Sequence, residues 1–526
     1  MKTRRYPVDT QTFRTIIEGN YVYVDKTDLV YKMANEYRYV FLSRPRRFGK
    51  SLLCSTLKEY FCGNKDLFKG LKIEGLEKDW VKYPVINLSF ASAKDVSEQS
   101  INEIIDSMLD RYEQQFAITR QGNDCGVRFK NLIINVSQKT GLKVVVIIDE
   151  YDAAMLDTVN NDELQERVRA TQNKFFSPLK ELDDYIRFVF ITGITKFSQM
   201  SIFSTLNNLK DISLMTEFQT LCGISNEELL SQLKQGIQDF ADYNGYTFDN
   251  TMRYFKVKYD GYHFAPEMLD VYNPFSLINA LNDKQLNDYW FNSGTPSALL
   301  KLISKFDIKM EDYEGVECGA SRFNKPVEKV TDLVPFLFQS GYLTIKDYKS
   351  FADEGNVYQT YTLGYPNGEV RMAFANSLYT EYYKATENIP LRDAFIDFKI
   401  NDDIDTFIEH LKVFFDDFPF SLNDQKENEK HYHSILYTVL TSFGANIIAN
   451  RETALGKADL VLNMPKTIYV IELKYDQSLE SAKTQIRNRR YAKAYLDSNK
   501  RIVKLAIKFS SKDRNIESYE AEEEKI

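Results

Sequence analysis

YRYVFLSRPRRFGKSLLCSTLKEYF, residues 37–61, runs from an apolar strand pattern through an arginine-rich loop into a helix pattern. A loop between a strand and a helix N-terminus presents free backbone N–H groups, which bind phosphate. Lys50 is placed to reach the β- and γ-phosphates of ATP, and Ser51 is placed to ligate Mg²⁺. The usual GxxxxGK[ST] pattern has its first glycine where this chain has Arg44, so only Gly49 remains. We predict that the loop binds a nucleotide through the following residues: Arg44, Arg47, Phe48, Gly49, Lys50 and Ser51.

A second strand pattern, VVVIIDEYD at residues 144–152, suits the same nucleotide site. Its apolar run ends at Asp149, which is placed to hold Mg²⁺, and at Glu150, which is placed to polarise an attacking water. An ordinary capped core strand explains this pattern equally well when it is taken alone. The order of the two motifs and their positions at strand ends favour nucleotide binding. The sequence leaves open whether ATP is hydrolysed or only bound, because no arginine finger can be assigned.

Strand and helix patterns alternate up to about residue 235, which predicts a parallel, doubly wound α/β sheet with helices on both faces. One of these strands, IRFVFITGITKFS, ends in Thr192 and Thr195, either of which would sense the γ-phosphate. The pattern then becomes helical, and a helix followed by a hairpin resembles a small winged-helix element. The predicted domains are 1–235, 236–390 and 391–526.

The composition is that of a soluble globular protein, with 43% apolar and 27% charged residues among 526. Because the net charge is −8, any contact with nucleic acid requires a local basic surface. The five cysteines are scattered without a CxxC pair, which suits a reducing cytosol and excludes a cysteine-based zinc site. The start shows no signal-peptide pattern and no apolar run is long enough for a bilayer, so we expect a cytoplasmic protein without membrane contact. The acidic end EAEEEKI is predicted to be a solvated tail.

KADLVLNMPKTIYVIELKYD, residues 457–476, has the pattern of two apolar strands joined by a turn, yet it carries charges among its apolar residues. A hairpin that turns at MPKT places Asp459 directly opposite Glu472, where Cβ atoms lie roughly 4.5–5.5 Å apart. Two carboxylates at that distance repel one another unless a cation lies between them. Lys474 follows Glu472 by two residues and therefore emerges on the same face of the strand.

Carboxylate oxygens suit Mg²⁺, so we predict a metal site at Asp459 and Glu472, with Lys474 beside the water that the metal activates. Two flanking helix patterns add the candidate catalytic residues Glu429 and Gln485. From residue 483 to 508 the chain has nine Lys or Arg and a single acid, which predicts a surface that contacts phosphates.

The sequence also allows purely structural explanations of these residues. A structural ion pair between Glu472 and Lys474, with Asp459 at a sheet edge, explains the charged hairpin without catalysis. His431 and His433 lie two residues apart on a helix and do not share a face, so we interpret them as surface or packing residues.

Taken together, the motifs resemble the bacterial family that joins an AAA-like ATPase domain to a C-terminal PD-(D/E)XK nuclease-like domain. The resemblance covers most of the chain and rests on YVDKT with Val24, RPRRFGKS, IIDEYD, TGITKFS with SIFSTLNNL, YDGYHF, VYNPFS and the terminal hairpin. It implies a P-loop domain over 1–235, a helical lid with a winged-helix-like region over 236–390, and a restriction-endonuclease-like domain over 391–526. The arginine in place of the first loop glycine is typical of this family. YDGYHF and VYNPFS carry no assigned chemistry and are expected to shape the lid over the nucleotide.

The leading hypothesis is an ATP-binding, Mg²⁺-dependent phosphodiesterase in which the nucleotide state regulates cleavage of nucleic acid, DNA in the first instance. The alternative is a nucleotide-switched module that binds nucleic acid or protein, or signals, through an inactive nuclease fold. A homo-oligomer is compatible with either hypothesis.

Overall fold

The computed structural model describes residues 4–93, 96–196, 208–290, 299, 301–302, 306, 308–326, 330–383, 388–418, 429–453, 456–488, 495 and 498–524. Most of SIFSTLNNL and most of the polar run NDQKENEK therefore lie outside the described residues. The chain divides into two compact units. The first comprises Met1–Leu302 and Gly315–Glu369, and the second comprises Ile303–Glu314 and Val370–Ile526. The division into three domains with borders at 235 and 390 stays a prediction.

A parallel five-stranded sheet lies at the centre of the first unit. Its strands, in the spatial order β2-β3-β4-β1-β5, are β1 (Tyr39–Ser43), β2 (Val85–Ser89), β3 (Val144–Asp149), β4 (Ile186–Gly193) and β5 (Lys210–Asp211). Every residue of β1 and β3 is buried, as expected when helices cover both faces of a parallel sheet. The predicted parallel α/β fold is confirmed. Because the strands are parallel, the carboxyl ends of β1, β3 and β4 meet at one edge of the sheet.

The helices around this sheet begin and end where the local sequence dictates. They are α1 (Phe13–Glu18), α2 (Thr27–Glu36), α3 (Lys50–Phe61), α4 (Glu98–Gln115), α5 (Cys125–Thr140), α6 (Ala153–Asp157) and α7 (Asp162–Phe176). Ser97 and Ser100 form a capping box at the start of α4, and Asp124 caps the N-terminus of α5. Single-turn 3₁₀ helices follow α3 at Lys65–Phe68 and Lys72–Gly75 and follow α7 at Ser177–Glu181.

The rest of the first unit is helical with two small sheets. The helices are α8 (Asn226–Gln232), α9 (Lys234–Asn244), α10 (Phe248–Tyr259), α11 (Pro274–Asp283), α12 (Ala320–Phe323) and α13 (Leu333–Ser340), with a 3₁₀ turn at Thr216–Phe218. β6 (Ile224–Ser225) pairs with β7 (Val271–Tyr272), and β8 (Val316–Cys318), β9 (Thr344–Asp353) and β10 (Asn356–Gly364) form an antiparallel sheet in the order β8-β10-β9. The predicted helix followed by a hairpin is α13 with β9 and β10. Every residue of α13 is buried, so this helix has no open face for a groove of DNA.

The second unit packs helices against a mixed sheet. The strands, in the order β11-β12-β13-β14-β15, are β11 (Ile447–Thr453), β12 (Gly456–Asn463), β13 (Thr467–Tyr475), β14 (Arg501–Ser510) and β15 (Asn515–Glu523). The helices are α14 (Gly368–Ser377, continued by a π-helical turn at Leu378–Tyr382), α15 (Ile389–Asn401), α16 (Ile404–Asp416), α17 (Glu429–Ser442) and α18 (Leu479–Asn488), and a 3₁₀ turn lies at Met310–Tyr313. Only β13 and β14 are parallel neighbours, and α18 lies between them in sequence.

One detail of this unit departs from the sequence prediction. The acidic end is not a solvated tail, because residues up to Glu523 form β15 at the sheet edge. The helices α15 and α16 are separate because Asp402 adopts a left-handed conformation with φ of 65° and ends α15. None of the helices that the structure describes is long and apolar enough to cross a bilayer.

Candidate functional sites

The loop between β1 and α3 wraps around the amino group of Lys50. The Nζ atom donates hydrogen bonds to the carbonyl oxygens of Arg44 at 3.0 Å and Pro45 at 2.9 Å. Burial lowers the pKa of Lys50, and the nearby carboxylate of Asp149 opposes that change. Gly49 precedes the helix with φ of 88°, a conformation that costs an L side chain 1 kcal/mol or more by rough estimate. The loop therefore places an ammonium group and a helix N-terminus at one point, as phosphate binding requires.

Asp149 at the end of β3 lies beside this loop. The Ser51 hydroxyl donates a hydrogen bond to its carboxylate, and burial raises the pKa of Asp149. Its Oδ1 atom is buried and has no hydrogen-bond partner among the described residues. A hydroxyl and a buried carboxylate oxygen without a donor are ligands that Mg²⁺ accepts, so these side chains fit the metal of a nucleotide complex. Glu150 follows with φ of 51°, a rare backbone conformation for a non-glycine residue, and its side chain is half-buried.

Asp152 supports the same edge of the sheet, although the sequence analysis assigned it no role. Its Oδ2 atom accepts hydrogen bonds from the backbone N–H of Ile194 at 3.0 Å and of Thr195 at 2.7 Å, and from the Thr195 hydroxyl at 2.7 Å. The carboxylate thereby fixes the turn that follows β4 next to the end of β3. The signal was present in the sequence as the second aspartate of DEYD, but only the fold shows which loop it contacts.

The structure corrects the predicted role of the Arg44 side chain. It is 1% exposed and donates hydrogen bonds to the carbonyl oxygens of Ser213 at 2.8 Å and Phe218 at 3.2 Å. Its guanidinium also lies 4.2 Å from the ring centroid of Phe264. Burial lowers the pKa of Arg44 to about 10. Arg44 is therefore an internal brace under the loop, directed away from any bound phosphate.

Thr192 also differs from its prediction. Its side chain is fully buried, and its hydroxyl donates to the carbonyl oxygen of Leu42 on the neighbouring strand at 2.7 Å. A group enclosed in this way cannot reach a γ-phosphate. Thr195 does not take over the role, because its hydroxyl hydrogen is donated to Asp152.

A cavity of about 530 Å³ opens beside the loop, where Arg47, Phe48 and Gly49 form part of its wall. The remaining wall is mainly apolar and includes Val24, Leu52, Ile224, Phe275 and Ile278. Val24 belongs to YVDKT and Phe275 to VYNPFS, so two motifs without assigned chemistry line this cavity. The Arg47 guanidinium lies 4.4 Å from the centroid of the Phe275 ring. The volume and apolar lining suit a flat heterocyclic base.

The motif YDGYHF holds the loop from its other side. The ring of Phe48 packs edge-on against Tyr262 and Phe264, with centroids 4.7 and 5.3 Å apart. His263 lies between those two aromatic residues in sequence and is itself buried. The motif therefore fixes the conformation of the phosphate-binding loop, which gives it a physical role that its sequence did not show.

The charged hairpin of the second unit has the predicted register. Leu460 pairs with Ile471 and Asn463 with Ile468, so the next pair outward would be Asp459 with Glu472. The ladder stops at that point because the Asp459 carboxylate itself accepts the backbone N–H of Leu473 at 2.8 Å. Asp459 is thus held within β12 where its pairing with β13 ends, facing the segment of β13 that carries Glu472.

Glu472 is fully buried, and the ammonium group of Lys474 lies 3.2 Å from its Oε1 atom. Desolvation and, next, the charge of Asp459 raise the pKa of Glu472 to about 8, although Lys474 opposes the shift. Lys474 also donates to the carbonyl oxygen of Leu473 at 2.8 Å and lies 3.5 Å from a carboxylate oxygen of Glu429. The structure therefore brings together four of the predicted residues: Glu429, Asp459, Glu472 and Lys474.

The ion pair with Lys474 satisfies only one of the two carboxylate oxygens of Glu472. Glu472 Oε2 is buried without a hydrogen-bond partner among the described residues. The described residues contain no group of three or more His, Cys, Asp or Glu side chains able to enclose a metal. A pair of carboxylates fits Mg²⁺ nevertheless, because this ion commonly keeps several waters and takes one or two carboxylates from the protein.

His433 is a site residue that the sequence analysis treated as surface or packing. It is 7% exposed, and its Nε2 atom lies 2.9 Å from the carbonyl oxygen of Asp459. Its Nδ1 atom lies 3.2 Å from Oε1 of Glu311, which also accepts a hydrogen bond from the Ser434 hydroxyl. Burial opposes protonation, but the hydrogen bond to Glu311 leaves the pKa of His433 raised, and that of Glu311 is lowered despite its burial. A protonated His433 donates from both ring nitrogens.

Gln485 and the basic run do not join the cluster in the way that was predicted. Gln485 is half-buried on α18, and the hydrogen bonds of the described residues include none from it to the three acids and the lysine of the cluster. The described basic side chains near it are paired with acids: Lys483 with Glu520 and Arg487 with Glu522, both at 2.7 Å, and Lys508 with Glu517 at 2.6 Å. Acids of β15 thus pair with these three of the nine basic residues of the predicted phosphate-contacting surface. Arg489, Arg490 and Lys493 lie outside the described residues.

Family models match the two parts of the chain that contain these sites. Residues 7–203 match the family model described as "Predicted AAA-ATPase", and residues 427–519 match that of the "PD-(D/E)XK nuclease superfamily". The chain therefore carries an AAA-ATPase-like domain and a C-terminal PD-(D/E)XK nuclease superfamily domain, which confirms the resemblance. It is also 29% identical over 535 residues to the "Uncharacterized protein in vnfD 5'region" of Azotobacter chroococcum mcd 1, with 99% of each chain covered.

Proposed function

We propose that this protein is an ATP-binding, Mg²⁺-dependent phosphodiesterase that cuts nucleic acid, with the nucleotide state of the first unit regulating the second. The observation that carries the proposal is the buried Glu472, which faces Asp459 and has one carboxylate oxygen that receives no hydrogen bond from the described residues. A purely structural acid at this place would gain stability from a complete set of hydrogen bonds.

In the second unit Asp459 and Glu472 would hold Mg²⁺, and the bound ion would supply charge stabilisation at the scissile phosphate. The backbone N–H of Leu473 holds the Asp459 carboxylate in place. Lys474, already 3.2 Å from Glu472, orients the attacking water and stabilises negative charge that develops on the phosphate. Glu429 lies 3.5 Å from Lys474 and keeps its ammonium group on this side of the strand.

In the first unit Lys50 and the N-terminus of α3 would bind the β- and γ-phosphates, and Ser51 with Asp149 would hold the accompanying Mg²⁺. The apolar cavity beside Phe48 would take the base. Glu150 is the candidate to orient a water for hydrolysis, because its backbone places it directly after Asp149.

The test is cleavage of labelled DNA and RNA by the purified chain, with and without Mg²⁺ and ATP. Lys474→Met should abolish cleavage and leave ATP binding unchanged. Lys508→Met is the matched control, because Lys508 pairs with Lys474 across the neighbouring strand and makes its ion pair with Glu517. Cleavage by Lys474→Met at the wild-type rate would contradict the proposal.

Lys50→Met should abolish ATP binding and, with it, the effect of ATP on cleavage. Lys58→Met, an exposed lysine on the same helix, is the control and should bind ATP like the wild type. A wild-type response of cleavage to ATP in Lys50→Met would show that the first unit does not regulate the second.

The neutralised basic side chains favour a second candidate, a nucleotide-switched module that binds a partner through an inactive nuclease fold. Ion pairs with β15 leave fewer cations for DNA phosphates than the sequence suggested. Titration calorimetry of Mg²⁺ into the nucleotide-free chain separates the two candidates. Binding that is lost in Asp459→Asn supports the phosphodiesterase, and no binding to the wild type supports the inactive module.

A further inference from the structure

A buried pair of side chains, Glu311 and His433, connects the acid site of the second unit to another segment of the chain. His433 Nε2 donates to the carbonyl oxygen of Asp459 at 2.9 Å, and its Nδ1 atom lies 3.2 Å from Glu311. Both side chains are less than one-tenth exposed. Because the carbonyl belongs to Asp459 itself, any shift of His433 moves the backbone that carries this carboxylate.

Glu311 lies only four residues before Gly315, where the chain enters the first unit. Glu311 is part of the 3₁₀ turn Met310–Tyr313, and the backbone N–H of Gly315 donates to the carbonyl oxygen of Leu363 at 2.9 Å. Leu363 belongs to β10, which pairs with both β8 and β9. Four residues span at most about 14 Å, so the chain keeps Glu311 within about that distance of Gly315, which is bonded to the sheet β8-β10-β9.

The same sheet is attached to the phosphate-binding loop through YDGYHF. The backbone N–H of His263 donates to the Thr344 hydroxyl at 2.7 Å, and its Nδ1 atom donates to the carbonyl oxygen of Ile345 at 2.8 Å. Thr344 and Ile345 are the first two residues of β9. The residues on either side of His263, Tyr262 and Phe264, pack against Phe48. A movement of the loop that carries Phe48 would therefore act on a segment that is hydrogen-bonded to the start of β9.

We propose that Glu311 and His433 are positioning residues of the nuclease site, and that they transmit the conformation of the phosphate-binding loop to Asp459 through the sheet β8-β10-β9. The inference rests on the proposed function and names its regulatory connection. Phosphate oxygens that take over the Lys50 ammonium group release the loop carbonyls, and Phe48 moves with the loop. Phe48 contacts Tyr262 and Phe264, and His263 between them is hydrogen-bonded to β9. The sheet is bonded to Gly315 through Leu363, and the chain connects Gly315 to Glu311.

A series of contacts shows only that these residues are neighbours. Transmission of a conformational change has to be measured as a coupling between the nucleotide site and the acid site. The variant is Glu311→Gln, which keeps the volume of the side chain and removes the charge that orders His433. The matched control is Asp402→Asn, because Asp402 accepts hydrogen bonds from Thr467 at 2.9 Å and Tyr469 at 2.7 Å at the other end of β13. Thermal melting of both variants verifies that they fold.

The first measurement is backbone hydrogen exchange of the full chain with and without a non-hydrolysable ATP analogue and Mg²⁺. We expect the analogue to change the exchange of the segment 456–475 in the wild type and in Asp402→Asn, and to leave it unchanged in Glu311→Gln. No change in the wild type would overturn the inference, and so would an equal change in Glu311→Gln.

The second measurement is Mg²⁺ affinity of the nucleotide-free chain by titration calorimetry. Residues that orient metal ligands typically contribute 10- to 100-fold in affinity, so we expect Glu311→Gln to weaken Mg²⁺ binding by about tenfold or more and to leave ATP affinity unchanged. Equal Mg²⁺ affinity in Glu311→Gln and the wild type would overturn the positioning role. A wild-type chain that binds no Mg²⁺ and cuts nothing would refute the proposed function, while hydrogen exchange would still decide whether the two units are coupled.

Discussion

Replacement of Glu472 by Gln should stabilise the metal-free protein while abolishing its activity. Glu472 is fully buried, and desolvation together with the charge of Asp459 raises its pKa to about 8. In the unfolded chain the same carboxyl group titrates at its ordinary pKa near 4.3. Between these two values the folded protein binds one proton that the unfolded chain has lost. The stability of the wild type therefore falls as the pH rises through this window, and it does not fall further above it.

The size of the effect follows from the width of the window. At pH 7 the cost is about 1.4 kcal/mol for each pH unit above the unfolded pKa, which amounts to roughly 4 kcal/mol. Gln has no proton to bind and keeps an oxygen for the Lys474 ammonium group. For a unit of this size 1 kcal/mol shifts the melting temperature by roughly 2–4 °C, so Glu472→Gln should melt up to about 15 °C higher at pH 7.

The assay is differential scanning calorimetry in EDTA at pH 4.5, 7 and 8.5, following the transition that the substitution moves. Separate transitions are expected because the chain has two compact units. The variant should match the wild type at pH 4.5 and exceed it at pH 7 and 8.5. Saturating Mg²⁺ should raise the melting temperature of the wild type alone. A variant that is equally or less stable at pH 7, or a difference that does not depend on pH, would refute the reasoning.

Three further predictions concern charged or polar side chains with defined partners. Arg44→Met removes the buried donor to the Ser213 carbonyl oxygen and leaves that of Phe218 with the Leu221 N–H alone, so it should destabilise the first unit by roughly 2–5 kcal/mol, measured as a lower melting temperature, whereas the half-buried Arg46→Met should have a small effect. Glu520→Gln with Glu522→Gln frees two cations of α18 and should steepen the salt dependence of DNA binding by up to about 1.8 in log K against log salt, and an unchanged slope would mean that α18 does not contact DNA. Ser51→Ala removes the hydroxyl that contacts Asp149 and should weaken ATP binding about tenfold or more in Mg²⁺ but leave it unchanged in EDTA, as measured by calorimetry.

The sequence was sufficient for those features that depend on local pattern. The alternation of strand and helix patterns predicted the parallel sheet, and the turn at MPKT predicted the hairpin register that brings Asp459 towards Glu472. The loop lysine and Ser51 were predicted because a strand, a loop and a helix N-terminus follow directly in the sequence. For the hairpin and the loop, adjacent elements determine the geometry, so no distant part of the chain had to be known.

Features that depend on distant packing were missed. The partners of Arg44 are carbonyl groups about 170 positions later, and those of His433 include a carboxylate 122 positions earlier. Two residues of the basic run are paired with acids because β15 pairs with β14 and lays Glu520 and Glu522 beside α18, while contact of the run with phosphates stays a prediction. Counting charges along a segment does not show which opposite charges the fold places over it.

Asp149 and Glu472, one in each site, share one arrangement. Asp149 and Glu472 each keep a buried carboxylate oxygen without a hydrogen-bond partner among the described residues. Glu311 does so too, yet its pKa is lowered because His433 and Ser434 satisfy its other oxygen. At Asp149 and Glu472 burial raises the pKa although a lysine ammonium group lies nearby. Where the pKa of a buried acid stays raised beside a lysine, one more cation would stabilise the folded protein. A divalent metal would do this at both places.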